Sequence, residues 1–360
     1  MWKEIRISGF RGIRQLTLKD LRRVNLIAGP NNAGKTNLLE ALFLHAGGGN
    51  AELAIRVNVF RGLLPSPIQV DSQRLVQQFL GTLFYRANLD TPIEIRSQDE
   101  AGGTAVTRFQ AAREPAVTST LSTQPGVQAP TTVFELGTLQ YERSGKEGRE
   151  YQLLLTFEAQ GSVGIRVEPP PVVGIPGIFV TASTRSPVED ANRLGMVIQE
   201  GRLQEVVDAL KVLEPHLQSL VILPYLGVPY IYADLGDRPL LPLAVAGEGL
   251  ERLARILLAV ASSRGGVVLV DEVENGFHFS VLIGVWRAVI KAAERYDVQL
   301  FLTTHDWETV VAAHRAFQEA ERYDEFRYMR LERGEDGEIR VVNYTEEALE
   351  AAIQGGLEVR

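Results

Sequence analysis

The octapeptide Gly29-Pro30-Asn31-Asn32-Ala33-Gly34-Lys35-Thr36 constrains this chain most, because of what stands on either side of it. Before it, residues 23–28 form an apolar run, Arg-Val-Asn-Leu-Ile-Ala, stopped by Gly29 and Pro30, which predicts a strand followed by a turn. After it, Leu38, Leu39, Leu42 and Phe43 recur at helical spacing until the glycines at 47–49 end the pattern. Strand, glycine-bearing loop and helix are the setting in which the spacing G-x-x-x-x-G-K-[ST] holds a nucleoside triphosphate. Backbone N–H groups of Asn31, Asn32, Ala33 and Gly34, with the first helical turn through Asn37, surround the phosphates at the positive end of the helix. Lys35 reaches the β and γ oxygens, and Thr36 ligates Mg²⁺.

A second half-site lies far along the chain. Val267-Val268-Leu269-Val270-Asp271-Glu272 is a continuous apolar run ending in two acids, as in a strand buried on both faces. An acid at such a strand end holds the Mg²⁺ water shell, and a second beside it orients or deprotonates an attacking water. Asp271 fits the first role and Glu272 the second. His305 ends another apolar run, where its imidazole would touch the γ-phosphate. Ala246-Gly247-Glu248-Gly249 precedes an amphipathic helix carrying Leu250, Leu253, Leu257 and Val260. The N–H groups of Gly247 and Gly249 suit an anion at a helix N-terminus, although an ordinary helix cap reads the same way.

Composition removes several alternatives. With no cysteine, disulfide frameworks, thiolate metal sites and cysteine nucleophiles are excluded. A membrane span needs about 18 consecutive apolar residues and none is present, and the opening MWKEIRISGF lacks secretory features. A cytoplasmic protein without a membrane partner is expected. The net charge of −8 argues against a surface that neutralises nucleic-acid phosphates everywhere, and leaves a local basic groove open.

The alternation of strands and helices predicts an α/β fold with a mostly parallel sheet. Residues 1–50 and 236–360 read as two parts of that core. Residues 51–180 carry the β-like runs PIEIRSQ, TVFELGTLQYER and REYQLLLTFEA, an antiparallel lobe with a mobile loop at 113–131. Residues 181–235 read as a short helical insertion, with helical spacing over about 188–219.

Taken in order, GPNNAGKT, AGEGL, VVLVDEVENGFH and TTHD resemble ABC-type ATPases of the SMC, RecF and OLD group, above all stand-alone OLD-like AAA-family ATPases without coiled coil or TOPRIM domain. The resemblance implies ATP and Mg²⁺ as ligands and a P-loop NTPase fold of ABC type. It makes Lys35 and Thr36 the phosphate and metal residues, Asp271 the Walker B acid, Glu272 the catalytic base and His305 the switch histidine. It implies a homodimer closed head to tail on ATP, with Gly247, Glu248 and Gly249 covering the phosphate held by the other subunit. Arg11, in GFRGI, resembles a basic residue near the nucleotide; Glu274 and His278 fall where a loop between subunits begins, and Thr184 and Arg185 stand as a Q-loop candidate. Ala246 replaces the serine common at the signature, so backbone donors serve there alone. The implied role is a switch acting on DNA or a partner effector in genome maintenance or anti-phage defence. The stretch after His305 is short of the ~100 residues of a nuclease domain, so nuclease activity is expected on a separate chain. An ABC transporter ATPase subunit and a P-loop small-molecule kinase are the alternatives.

Overall fold

The computed structural model describes residues 1–63, 75–113, 117–121, 130–157, 163–172, 174–236 and 239–359. The chain opens with β1 (Trp2–Phe10) and β2 (Ile13–Leu18), an antiparallel pair turned at Arg11, and continues through β3 (Val24–Ala28) into α1 (Lys35–Ala46). Two short helices, α2 (Leu53–Val59) and α3 (Leu75–Leu80), precede six strands, β4 (Ile93–Asp99), β5 (Thr104–Ala111), β6 (Val117–Leu121), β7 (Pro130–Arg143), β8 (Lys146–Phe157) and β9 (Val163–Glu168). Then come β10 (Gly177–Val180), α4 (Pro187–Gln199), α5 (Leu203–Leu210), β11 (Ser219–Tyr225), β12 (Val228–Asp234) and β13 (Leu241–Pro242). The last third holds α6 (Leu243–Ala246), α7 (Glu248–Ser262), β14 (Val267–Val270), α8 (Leu282–Tyr296), β15 (Gln299–Thr303), α9 (Trp307–Glu319), β16 (Phe326–Arg333), β17 (Ile339–Tyr344) and α10 (Glu346–Gln354).

The strands form three sheets among the described residues. The central one runs β10-β14-β15-β3-β16-β17, parallel except for β17. Its strands are apolar throughout because both faces are covered. Leu26, Val268, Val270, Leu300 and Leu302 meet residues of α7, α8 and α9 on one side, while Ile27, Leu269, Phe301 and Met329 join a second core with α1 and the antiparallel strands. The fold is thus α/β, with chemistry expected at the carboxyl ends of β3, β14 and β15.

The antiparallel sheet, β2-β1-β4-β5-β7-β8-β9 with β6 beside β7, alternates inward apolar and outward polar residues. Ile5, Ile7, Ile95, Phe109 and Leu153 point to the core. Outside, Arg6 stands opposite Arg96, each paired with a glutamate on its own strand, Glu4 and Glu94. His45, at the end of α1, is buried between the hydroxyls of Ser97 (2.8 Å) and Thr107 (2.9 Å), and burial pushes its imidazole down to about 4.

Two expectations are corrected. The helical stretch over 188–219 is two helices, broken where Gly201 takes a left-handed φ of 68°, and Ser219 begins a strand. The insertion is therefore mixed, holding β11 and β12 beside its helices, and β13, beyond residue 235, completes their sheet. Within the stretch expected to be a mobile loop, Val117–Leu121 pairs in register with β7, and 114–116 and 122–129 lie outside the described residues. No helix among the described residues is long and apolar enough to cross a membrane.

Candidate active site

Three strand ends build the site. β3 releases the phosphate loop, whose backbone needs its glycines: Gly29 has φ 148°, and a Cβ there would lie 2.5 Å from the Leu331 carbonyl oxygen of β16. Gly34 has φ 98°, with Ile339 of β17 as close. Arg333 donates from Nε to the Asn32 carbonyl (3.2 Å) and from Nη1 to that of Gly337 (2.8 Å), so β16 and β17 brace the loop. Lys35 is buried, and its Nζ donates to the carbonyls of Gly29 (2.6 Å) and Pro30 (3.2 Å). Burial lowers its pKa, opposed by the carboxylates of Glu274, Asp271 and Glu272.

β14 and β15 bring the acids. Thr36 Oγ1 donates to Asp271 Oδ2 at 2.9 Å, and Thr303 Oγ1 donates to Asp271 Oδ1 at 2.6 Å. The Thr303 hydroxyl also accepts the backbone N–H of Glu272 at 2.9 Å. Glu272 itself has φ 49°, a conformation that costs a non-glycine residue free energy and is held by its surroundings. Its Oε2 accepts from Asn275 Nδ2 at 2.9 Å. His305 Nδ1 lies 4.0 Å from Glu272 Oε1 and 2.9 Å from Glu274 Oε1. Beside Thr36 and Asp271 opens a cleft of about 670 Å³ walled by Phe60, Arg61, Phe179 and the 181–183 loop.

Lys35, Thr36, Asp271, Glu272 and His305, far apart in sequence, thus meet at one end of the parallel sheet, with Asn31, Asn32, Ala33, Gly34 and Asn37 in the loop and first helical turn. Gly247, Glu248 and Gly249 sit elsewhere, beside the 276–277 turn: a Cβ on Gly249 would be 2.6 Å from the Gly276 oxygen. Arg11 departs from expectation. Its guanidinium is buried, with Nε 2.6 Å from Glu40 Oε2 and Nη2 donating to Asn58 Oδ1 (3.0 Å), and burial pushes it down to about 10. Glu40 in turn pairs with Arg61 (2.7 Å), which donates to the Asn37 side chain (2.7 Å). Arg11 therefore braces α1 from below. Thr184 accepts at its carbonyl from Arg255 (2.8 Å), and Arg185 pairs with Glu251 (3.4 Å). His278 caps its own turn through Ser280.

Sequence reasoning missed Arg252. Buried on α7, it donates to the carbonyls of Thr181 (2.8 Å), Asp271 and Glu272 (3.1 Å), tying the helix after Gly247 to the two acids and to the 181–183 loop. Burial lowers its pKa to about 10. In sequence it looks like any arginine of an amphipathic helix. Asn275 and Thr303 stand inside the motifs VVLVDEVENGFH and TTHD, where nothing in the sequence singles them out.

Two family models match. One, "AAA domain, putative AbiEii toxin, Type IV TA system", covers residues 179–312, and the other, "AAA domain", covers residues 4–78. An ATP/GTP phosphatase of Helicobacter pylori is 22% identical over 341 residues, 86% of each chain. The uncharacterized protein MJECL10 of Methanocaldococcus jannaschii is 54% identical over 44 residues, 12% of this chain and 20% of that one. Among solved structures, the SMC head domain of Thermotoga maritima aligns with a TM-score of 0.41 and 13% identity, over 96% of this chain and 99% of that one. The Smc head domain with an extended coiled coil bound to the C-terminal domain of ScpA, from Pyrococcus furiosus, gives 0.47 and 10%, over 100% and 99%. The two matched AAA segments hold the strand–loop–helix of Lys35 and the strand ends of Asp271, Glu272 and His305, so the phosphate loop and both acids lie in AAA-domain segments, and the chain is an ATPase.

Proposed function

We propose that this ATPase is a switch: two copies close head to tail around ATP and Mg²⁺, hydrolysis reopens them, and the motion acts on DNA or on a partner effector chain in genome maintenance or anti-phage defence. The observation that carries this reading is the Thr36–Asp271 hydrogen bond of 2.9 Å, which sets two oxygen donors side by side next to Lys35. One hydroxyl and one carboxylate are what Mg²⁺ takes from a protein when phosphate oxygens and water complete its shell, so the residues fit the ion. Bound there, Mg²⁺ supplies charge neutralisation on the phosphate oxygens.

The protein's own groups do the rest. Lys35 gives up the Gly29 and Pro30 carbonyls for phosphate oxygens. Glu272, oriented by Asn275, takes the proton of the attacking water, and His305 contacts the γ-phosphate. The N-terminus of α7, with Gly247 and Gly249, faces the phosphate of the second copy. The name of the Helicobacter relative supports triphosphate hydrolysis, and the toxin–antitoxin description of the matched family model supports action with a partner chain.

The test is phosphate release per subunit from ATP and GTP across a range of protein concentrations, with and without double-stranded DNA, against Glu272→Gln. A specific rate that rises with concentration and is lost in Glu272→Gln supports shared sites, and a further rise with DNA identifies nucleic acid as the ligand. A concentration-independent rate that survives Glu272→Gln overturns both the base and the dimer.

A further inference from the structure

Glu274 is a third acid at the site, distinct from the Asp271–Glu272 pair and turned inward, with a side chain 11% exposed. Its Oε1 lies 2.9 Å from the backbone nitrogen of His305 and 2.9 Å from the Nδ1 of the same residue. One carboxylate oxygen therefore accepts a hydrogen bond from the main chain of the histidine and lies in close contact with its ring nitrogen. The loop it grips is fixed at its far end, where Asp306 accepts from Thr309 N (2.8 Å) and Oγ1 (2.7 Å) to cap α9.

We infer that Glu274 is the positioning residue of His305: it holds the ring and selects the form carrying a proton on Nδ1. This rests on the ATPase reading above, and names the device that sets its histidine. The chemistry is that of an acceptor. Burial raises the pKa of Glu274, opposed by the hydrogen bonds from the 304–305 segment and by the His305 charge; while ionised the carboxylate only accepts, so Nδ1 carries hydrogen and Nε2 is the nitrogen left for the reaction. Nε2 has no partner among the described residues. Neutral His305 then offers a lone pair at Nε2, suited to accept from the attacking water, while the imidazolium offers an N–H to a phosphate oxygen. A ring free to rotate, or with its proton on Nε2, does neither in a fixed place. The charged groups around the pair are Glu272, Asp306, Lys35, Asp271 and Arg252, so the grip lies inside the charge network of the site.

The experiment compares Glu274→Gln, Glu274→Asp, His305→Ala and the Glu274→Gln/His305→Ala double variant in the full chain. It reads kcat and KM for ATP, and the ¹⁵N imidazole shifts of His305, assigned by loss of its signals in His305→Ala. Expected are an Nδ1–H form in the parent chain, a shift to Nε2–H or to an averaged ring in Glu274→Gln, and partial return in Glu274→Asp. A drop in kcat of about tenfold or more accompanies it, the usual cost of losing a partner that orients a working histidine, with KM changed less than about twofold. The double variant should be no slower than His305→Ala alone. An unchanged tautomer in Glu274→Gln, or a double variant slower than His305→Ala, overturns the inference even where the parent chain hydrolyses ATP. A parent chain that releases no phosphate overturns the ATPase switch instead, and the tautomer still decides the grip. The imidazole spectrum is read on folded protein, so a variant that loses its folded dispersion is replaced by Glu274→Asp, whose shorter arm must move the shifts in the same direction.

Discussion

Gly249, at the start of α7, and Gly276, in the turn after Glu272, meet backbone to backbone: a Cβ on Gly249 would stand 2.6 Å from the Gly276 oxygen, and one on Gly276 would stand 3.2 Å from the Gly249 nitrogen. Neither neighbour is a side chain that can swing away. The two segments proposed to face a second copy are therefore one packed body. Gly249→Ala should lower stability by about 1–3 kcal/mol, the cost of overpacking against backbone. Thermal unfolding checks it, with Gly265→Ala as a comparison for strain alone, since Gly265 has φ 69° and open space where its Cβ would go.

Removing Arg252 takes a donor from three carbonyls, and while that of Glu272 keeps the Asn275 N–H (3.2 Å), those of Thr181 and Asp271 lose the guanidinium with no such replacement. Arg252→Ala should cost about 2–4 kcal/mol through buried acceptors left unpaired. Arg252→Lys should recover little, because an ammonium cannot reproduce the planar fork. Chemical denaturation of both variants checks the magnitudes. Loss of hydrolysis beyond the loss of folded protein would place Arg252 in the setting of Glu272.

Arg11 and Glu40 form a buried pair, and Glu40 keeps Arg61 when Arg11 is removed. Arg11→Ala should therefore destabilise by about 3 kcal/mol, the low end for an acid deprived of a buried partner. ATP affinity of the folded fraction should stay within about twofold, because the guanidinium is spent on α1 and α2. Titration with a fluorescent ATP analogue separates the two effects. A tenfold loss of affinity at unchanged stability would return Arg11 to the nucleotide.

His45 gives the fold a dependence on acid. Its imidazole stays neutral in the folded chain until about pH 4, whereas in the unfolded chain it gains a proton near 6.5. A folded pKa below the unfolded one means that stability is complete above about 6.5 and is lost as pH falls toward 4, by about 3 kcal/mol. Denaturation midpoints measured from pH 7 to pH 4 should fall more steeply in the parent chain than in His45→Gln. Parallel slopes would remove the effect.

The parts of this molecule legible in the sequence are those where one physical rule acts alone. β3, β14 and β15 read clearly because burial on both faces leaves only apolar residues, and the loop reads because close approach to β16 demands Gly29. β5 escaped because Thr107 points inward to hydrogen-bond His45, which breaks the alternation expected of a strand. β11 and β12 escaped because an unbroken apolar run such as Ser219–Tyr225 has no period to tell strand from helix. Arg252, and the contact of Glu274 with His305 in place of the intersubunit position expected for it, were invisible for another reason: their partners, Thr181 and His305, are distant in sequence, and only the assembled sheet brings them together.

The neighbours of β3 set a timetable for synthesis. The strand that carries the phosphate loop pairs on one side with β15 and on the other with β16, Leu26 standing between Leu302 and Tyr328. Almost the whole chain must leave the ribosome before either edge of β3 is covered. Until then the antiparallel hairpins can pair locally, while the ATP-binding loop has no sheet to hang from. Pairings this remote in sequence close late and slowly. A nascent chain halted before β15 would thus carry every residue of the loop with neither edge of its strand paired, so the site is assembled only late in synthesis.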